Sequence, residues 1–328
     1  MQQKSLRIGT GKSPFAMYQA RLVQSLLQKK NRDLNIELIP IVTTGDKTQK
    51  SNRNLTVIGG KGLFLKELEI ALTDNTIDLA VHSLKDVPTW CGADYSLPCV
   101  LDREDPREAF ISKKFNTLQD VSENSILGTS SPRRLSQASS QKNITCVPFR
   151  GNVGTRLEKI NKGDVDFTFL ALAGLNRLGM SSQATQILSI EEMIPAIGQG
   201  AITIETLAEN KEAHTLLKSI NHTPTAQCVN AERTLLATLG GSCITPIGCY
   251  CSHNDNCYKI QVYVGREDGS KKFTLTEKSQ PDESPTAFGY RCALLLHQKI
   301  PSFTLSELGL HQKPPATLEE VQISLCGF

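Results

Sequence analysis

Over the first two thirds of the chain, short β-branched runs alternate with longer stretches of helical period. Leu6–Ile8 reads as a strand. Ser13 and Pro14 follow as N-cap and first helical residue of a helix that turns Phe15, Leu22, Val23, Leu26 and Leu27 inward. Ile36–Val42 is the next strand, Leu63–Leu72 a helix and Leu79–Val81 a strand. Beyond the charged punctuation at 102–106 the alternation resumes. Strands fall at Ile126–Leu127, Ile144–Val147 and Phe167–Leu170, with helical stretches at Arg133–Ala138, Val153–Ile160 and Gly174–Leu178. Strands separated by helices predict a parallel sheet and an α/β fold.

The last third changes character. A helix around Ala226–Leu239 precedes strands Lys259–Val264 and Lys272–Thr276, which flank a Glu-Asp-Gly turn at 267–269, and a helix near Thr286–Gln298 follows. A hairpin with helices to one side predicts a smaller α+β domain. The stretch from Gly309, with its Pro314-Pro315 pair, reads as a poorly ordered tail. No repeat of fixed period and no low-complexity tract interrupts the pattern.

Composition narrows the class. With 328 residues, two or three domains are expected, and 39% hydrophobic residues suffice for packed cores. The formal net charge is only +3, too small a field to imply nucleic acid. No window approaches the roughly 20 apolar residues of a membrane span. The opening MQQKSLRIGT passes from a polar stub into a strand pattern with no signal-like apolar stretch, so a cytoplasmic protein is expected. In that setting the ten cysteines read as free thiols. Cys249, Cys251, His253 and Cys257 cluster, but their spacing lacks paired C-x2-C knuckles, and a half-buried strand running into an exposed turn explains them better than a metal. No metal site is expected.

The candidate chemistry sits in the loops that follow the strands. These are Thr10–Ser13, Gly59–Gly62, His82–Asp86, Gly128–Arg134 and Arg150–Arg156. In open α/β sheets such loops face the ligand crevice, and helix N-termini there favour anions. Hydroxyls, glycine N–H groups, lysines and arginines at five equivalent positions predict a crevice for carboxylates or phosphates. Gly11-Lys12-Ser13 is not a nucleotide-binding phosphate loop, since the required earlier glycine is Leu6.

Three residues need a reading of their own. Asp86 would repel an anion unless the ligand also brings positive charge or N–H donors. It is either a partner of Lys85 or a nearby arginine, or a group that stabilises a developing cation. His82 reads as a packed strand-end residue. Cys243 lies in a glycine-rich turn closing a helix, which predicts an accessible thiol that could act as nucleophile or carry a permanently attached group. No adjacent base supports protease-like chemistry.

The motifs then fall into a known set: LRIGTGKSP at 6–14, VTTGDK at 42–47, GGKGLFLKELE at 59–69, DLAVHSLKDVP at 78–88 and REDPREAF at 103–110. They continue with GTSSPRR at 128–134, RGNVGTRL at 150–157, LALAGLNRLG at 170–179, PAIGQGA at 195–201 and GSCITPIG at 241–248. The chain strongly resembles the porphobilinogen deaminase (hydroxymethylbilane synthase) family over almost its whole length, the part beyond about 305 excepted. The resemblance implies a transferase that condenses four porphobilinogens head to tail, losing ammonia each time, on a covalent dipyrromethane cofactor. It implies a thioether to Cys243, and a catalytic Asp86 that holds pyrrole N–H groups and stabilises a cationic azafulvene-like intermediate. Lys85, Ser131, Arg133, Arg134, Arg150, Arg156 and Arg177 are implied as carboxylate binders, with Gly151 and Asn152 in the same cofactor-binding set. Ser13, Phe64 and Gln199 are implied on the substrate side, where Lys12 is expected as well. Where the family usually carries Arg, this chain has Gly11, with Lys12 as the adjacent cation.

The implied fold is two doubly wound α/β domains like periplasmic binding proteins plus a smaller α+β domain. The expected division is 1–100 with 198–218, then 101–197, then 219–308, with 309–328 as a tail. A monomer acting on the small molecule porphobilinogen is expected, with no nucleic-acid or membrane partner. A two-lobed solute-binding protein is the alternative, but it predicts a secretion signal and leaves Cys243 without a role. A metal enzyme built on the Cys249–Cys257 cluster is a weaker one.

Overall fold

The computed structural model describes residues 5–42, 65–242, 244–255 and 257–324. They fall into two compact units. The first holds the described residues up to Arg103 together with Ala201–Ala226; the second holds Glu104–Gly200 and the described residues from Gln227 onward.

In the first unit, strands β1 (Leu6–Gly11), β2 (Ile36–Ile41), β3 (Leu79–Ser83), β4 (Tyr95–Val100) and β10 (Ile202–Leu207) form one sheet in the order β2-β1-β3-β10-β4. Helix α1 (Pro14–Lys30) starts where the sequence predicts, with Ser13 as N-cap accepting from the Ala16 N–H at 3.1 Å and Pro14 in the first turn. It lays Ala20, Val23 and Leu27 against Ile8, Leu79 and Ile204. Helix α2 runs over Lys66–Thr73, and residues 63 and 64 of the predicted helix lie outside the described residues.

The second unit repeats this order with different strands. Here β5 (Glu108–Ser112), β6 (Ile126–Gly128), β7 (Thr145–Val147), β8 (Phe167–Ala171) and β9 (Gln186–Ile187) are arranged β7-β6-β8-β5-β9. Helices α3 (Pro132–Ser139), α4 (Val153–Lys162) and α5 (Leu172–Arg177) link them. Phe110, Phe167 and Phe169 pack into one aromatic knot with ring centroids 5.7 to 6.1 Å apart. Both sheets correct the expectation of purely parallel pairing. β10 is antiparallel to β3 and β4, and β5 is antiparallel to β8 and β9. The cause lies in the chain path: the chain enters β5 and β10 just after passing from one unit into the other, at 103–104 and 200–201, rather than after a crossover helix.

Helix α6 (Lys211–Lys218) packs on the first sheet, and α7 (Thr223–Leu239) carries the chain from the first unit into the second. There β11 (Ile247–Asn254), β12 (Cys257–Gly265) and β13 (Lys272–Lys278) form an antiparallel meander covered by α8 (Pro285–Lys299). Gly289 lets α8 approach α7 closely, since a Cβ there would stand 2.2 Å from the Ala231 carbonyl oxygen.

The segment beyond Gly309 is not a loose tail. Leu310 is buried in the core with Leu239 and Leu296, the His311 N–H donates to the Leu239 carbonyl at 2.9 Å, and the Tyr290 hydroxyl donates to the Pro315 carbonyl at 2.8 Å. Helix α9 (Ser302–Glu307) leads in, and Val321 of α10 (Leu318–Ser324) is buried. Apolar residues at 305, 308, 310 and 321 outweigh the Pro-Pro signal that suggested disorder.

Cys249 and Cys251 point into the core and His253 stacks on Tyr258 with ring centroids 4.4 Å apart. Among the described residues no group of three His, Cys, Asp or Glu could hold a metal ion. Burial pushes the Cys99 and Cys292 thiols up to about 12, so both act as small apolar side chains. Cys91 departs from the free-thiol expectation and is disulfide-bonded. Pairing depends on proximity in the fold, which sequence spacing does not give. Among the described residues no helix is long and apolar enough to cross a membrane.

Candidate active site

In the first unit, β1 and β3 are parallel neighbours, so the loops Thr10–Ser13 and His82–Asp86 leave the same edge of the sheet. Ser13 caps α1, and the Gln19 side chain donates to the Ser83 hydroxyl at 2.8 Å, tying that helix to the end of β3. His82 is buried as predicted, with Nε2 2.9 Å from a carboxylate oxygen of the buried Glu205 on the adjacent strand. Beyond it the chain turns through one 3-10 turn, Leu84–Asp86, that presents Lys85 half-buried and Asp86 exposed. No described residue hydrogen-bonds or ion-pairs with the Asp86 carboxylate, so the internal salt-bridge reading has no support among the described residues. Lys12 is exposed. Phe64 and the Gly59–Gly62 loop lie outside the described residues, as does Cys243.

In the second unit, β6 is parallel to β7 and β8, and the loops after all three share one edge. Antiparallel β5 begins at that edge, with Glu108 opposite Ala171. Ser131 caps α3 by accepting from the Arg134 N–H at 3.4 Å, and Asn152 caps α4 by accepting from the Thr155 N–H at 2.8 Å. Gly151 between them has φ of +128°, a conformation that strongly favours glycine, and a Cβ there would stand 2.9 Å from Thr155. Arg156 Nε donates back to the Gly151 carbonyl at 2.9 Å, and Arg177 Nη2 to the Gly200 carbonyl at 2.6 Å. Arg150 is half-buried, and its Nη1 is buried with no hydrogen-bond partner.

Arg133 and Arg134 share a carboxylate of the protein itself. Both are buried, and both guanidinium groups close on Glu108, which is fully buried. Arg133 Nη2 donates to one carboxylate oxygen at 2.6 Å and Arg134 Nη2 to the other at 2.9 Å. Gln199 Nε2 joins at 3.1 Å. Burial alone would raise the Glu108 carboxyl, but the charges of Arg134 and Arg133 outweigh it and hold it far below the usual carboxylate range. Arg133 is itself pushed down, first by its burial and further by Arg134, against the pull of Glu108. The asymmetry is physical: one carboxylate serves two cations. Glu108 was not singled out from sequence, although a charged residue directly before the apolar run Ala109–Ile111 is a signal that could have found it.

The edge of the second sheet is therefore dressed with arginines and helix caps, and that of the first with a helix cap, Lys12, Lys85 and the exposed Asp86 carboxylate, groups suited to carboxylates on the one hand and N–H donors on the other. Similarity to known proteins narrows this. Residues 6–215 match the family described as porphobilinogen deaminase, dipyromethane cofactor binding domain, and residues 226–298 match its C-terminal domain. A porphobilinogen deaminase from Thiobacillus denitrificans is 41% identical over 291 residues, covering 88% of this chain and 94% of that protein. The chain belongs to the porphobilinogen deaminase family. Solved structures similar in outline include a nutrient-binding protein from Burkholderia cenocepacia bound to methionine (14% identical, TM-score 0.39, 68% of this chain and 93% of that one). Another is an ABC-transporter periplasmic substrate-binding protein from Coxiella burnetii (14% identical, TM-score 0.40, 69% and 94%).

Proposed function

We propose that the chain is a hydroxymethylbilane synthase, joining four porphobilinogens head to tail with loss of ammonia on a dipyrromethane held through Cys243. Each joining forms one carbon–carbon bond and breaks two bonds, the carbon–nitrogen bond of the incoming aminomethyl group and the α-C–H bond of the acceptor pyrrole, whose proton balances the departing ammonia. The observation that carries the assignment of roles is Asp86, exposed and without a partner among the described residues, in a loop beside Lys85. Its carboxylate accepts hydrogen bonds from substrate pyrrole N–H groups and offsets the positive charge that develops as ammonia leaves.

Dipyrromethane, when bound, supplies the pyrrole end to which the first porphobilinogen is joined. The donor set suits its acetate and propionate groups. The buried Arg150 Nη1, without a partner among the described residues, is an atom that an anionic acceptor would satisfy, since a desolvated guanidinium left unpaired is costly. Arg150, Arg156, Gly151, Asn152, Ser131, Lys85, Arg133 and Arg134 would hold the cofactor. Arg177, Gln199, Ser13, Lys12 and Phe64 would serve the incoming substrate. The same reading makes the protein a cytoplasmic monomer with a small-molecule substrate and no nucleic-acid or membrane partner; the net charge of +3 supports the nucleic-acid part.

The test is Cys243→Ser. The purified wild-type chain should exceed its sequence mass by one dipyrromethane, colour with an acidic aldehyde reagent and consume porphobilinogen. The variant should show none of these, because a hydroxyl is a far poorer nucleophile than a thiolate. A variant that kept both colour and turnover would move the attachment point elsewhere.

A further inference from the structure

We propose that Glu108 is a positioning residue of this site: its carboxylate gathers Arg133, Arg134 and Gln199 into one buried cluster with a surplus positive charge that receives an anionic group of the ligand. The inference rests on the function proposed above and adds to it a residue and a charge count.

The count is direct. Two guanidinium groups meet one carboxylate, and among the described residues no other carboxylate contacts either of them. Each oxygen of Glu108 is engaged, Oε1 by Arg133 at 2.6 Å, Gln199 at 3.1 Å and Arg134 Nε at 3.3 Å, and Oε2 by Arg134 at 2.9 Å. Arg133 is further fixed by the Ile194 carbonyl at 3.0 Å, and Gln199 by the Pro106 carbonyl at 2.7 Å. Arg134 Nη1 has no hydrogen-bond partner among the described residues. A cluster this far out of water is costly with one unit of charge unbalanced, and a ligand carboxylate restores neutrality.

Position in the fold makes the arrangement possible. Glu108 opens β5 at the sheet edge where β6 and β8 end. From there it reaches the start of α3, which carries both arginines, and the turn that carries Gln199. Without it the two like charges repel, and neither fork has a fixed direction. Glu108 does not touch the reacting atoms on this account. It acts through the arginines, so its loss should weaken binding more than turnover.

Glu108→Asp and Glu108→Gln, purified as full-length chains beside the wild type, test this by intact mass, melting temperature and steady-state kinetics on porphobilinogen. Glu108→Gln should carry little or no covalent dipyrromethane. Glu108→Asp keeps the charge on a shorter arm; it should load the cofactor, with KM raised about tenfold and kcat within about twofold, the size expected for one weakened charge-assisted hydrogen bond. A folded Glu108→Gln variant with full loading and wild-type KM overturns the proposal. If Glu108→Gln does not fold, Glu108→Asp decides: a KM-selective loss supports positioning, and wild-type KM, or equal losses in KM and kcat, overturns it. A wild-type chain with no dipyrromethane and no turnover would instead remove the function on which the inference rests.

Discussion

Replacing Gly11 by Arg should tighten substrate binding without a stability penalty. Gly11 closes β1 in register with Ile41, and its φ is not in the left-handed region. Among the described residues, a Cβ added there meets only the Ala16 methyl at 3.4 Å, an ordinary contact. The backbone therefore does not require glycine, and a side chain can leave the strand end toward the loop that holds exposed Lys12. An arginine can present two parallel N–H donors to a carboxylate where the lysine offers one flexible ammonium. A hydrogen bond to a charged group is worth about 1.5–3 kcal/mol when well formed, and solvent exposure places the gain at the lower end. That converts to a roughly tenfold fall in KM for porphobilinogen. Stability should move by no more than about 0.5–1 kcal/mol, and upward, because glycine has the larger unfolded-state entropy. In the parent chain, Lys12→Ala should raise KM several-fold, and the two effects should shrink together as salt screens them. Steady-state kinetics at two ionic strengths, with thermal melts, measure all of this. A Gly11→Arg protein that melts lower and binds no better would refute the reasoning, and an unaffected Lys12→Ala would remove Lys12 from the site.

Two further outcomes are expected. Asp86→Asn keeps the shape of an exposed side chain and removes its charge, so kcat should fall by about 10²–10³ while the melting temperature barely moves; near-normal turnover would return Asp86 to a structural role. Gly240→Ala should destabilise by about 1–3 kcal/mol in urea unfolding, since φ there is +71° and a Cβ would stand 2.3 Å from the His311 ring. The loss should shrink in a His311→Ala background, and an unchanged loss would mean that the segment after Gly309 does not press on this turn.

Much of the first sheet and the hairpin was legible because local signals agree. Ser13-Pro14 caps a helix with a clean apolar stripe, and Lys259–Val264 and Lys272–Thr276 flank a glycine turn. Strands β5 and β10 carry no such local signal. EAFIS and ITIETL each place charged or hydroxyl residues in fully buried positions, so neither shows the alternation that marks a half-buried strand. Their antiparallel direction depends on where the chain returns from the other unit, which no local pattern encodes. In the segment after Gly309 the local signal, Pro314-Pro315, points to disorder, whereas the partners that bury Leu310 are far away in sequence. At the site, the loops were legible as a set. The partnership of Glu108 with Arg133 and Arg134 was not, since it joins residues 25 and 26 positions apart on two different elements.

The cap residues show why hydroxyl and amide side chains at strand ends are ambiguous from sequence. Ser13, Ser131 and Asn152 each direct a side-chain oxygen at a backbone N–H in the first turn of a helix. That role alone accounts for their presence, because an N-cap is worth about 1 kcal/mol. It does not exhaust their chemistry. A serine that accepts at its oxygen still has its O–H to donate, and an asparagine that accepts at Oδ1 still has two N–H donors on Nδ2. The donors left over are those an anion requires, and they stand beside helix N-termini, whose partial positive charge favours the same ligand. Capping thus fixes the direction of the remaining donors at no further conformational cost. Fold and recognition therefore draw on opposite ends of the same side chains. Replacing one of these residues should lower stability and anion affinity together, whereas losing an arginine such as Arg150, whose Nη1 has no partner within the described residues, should lower affinity while sparing the fold.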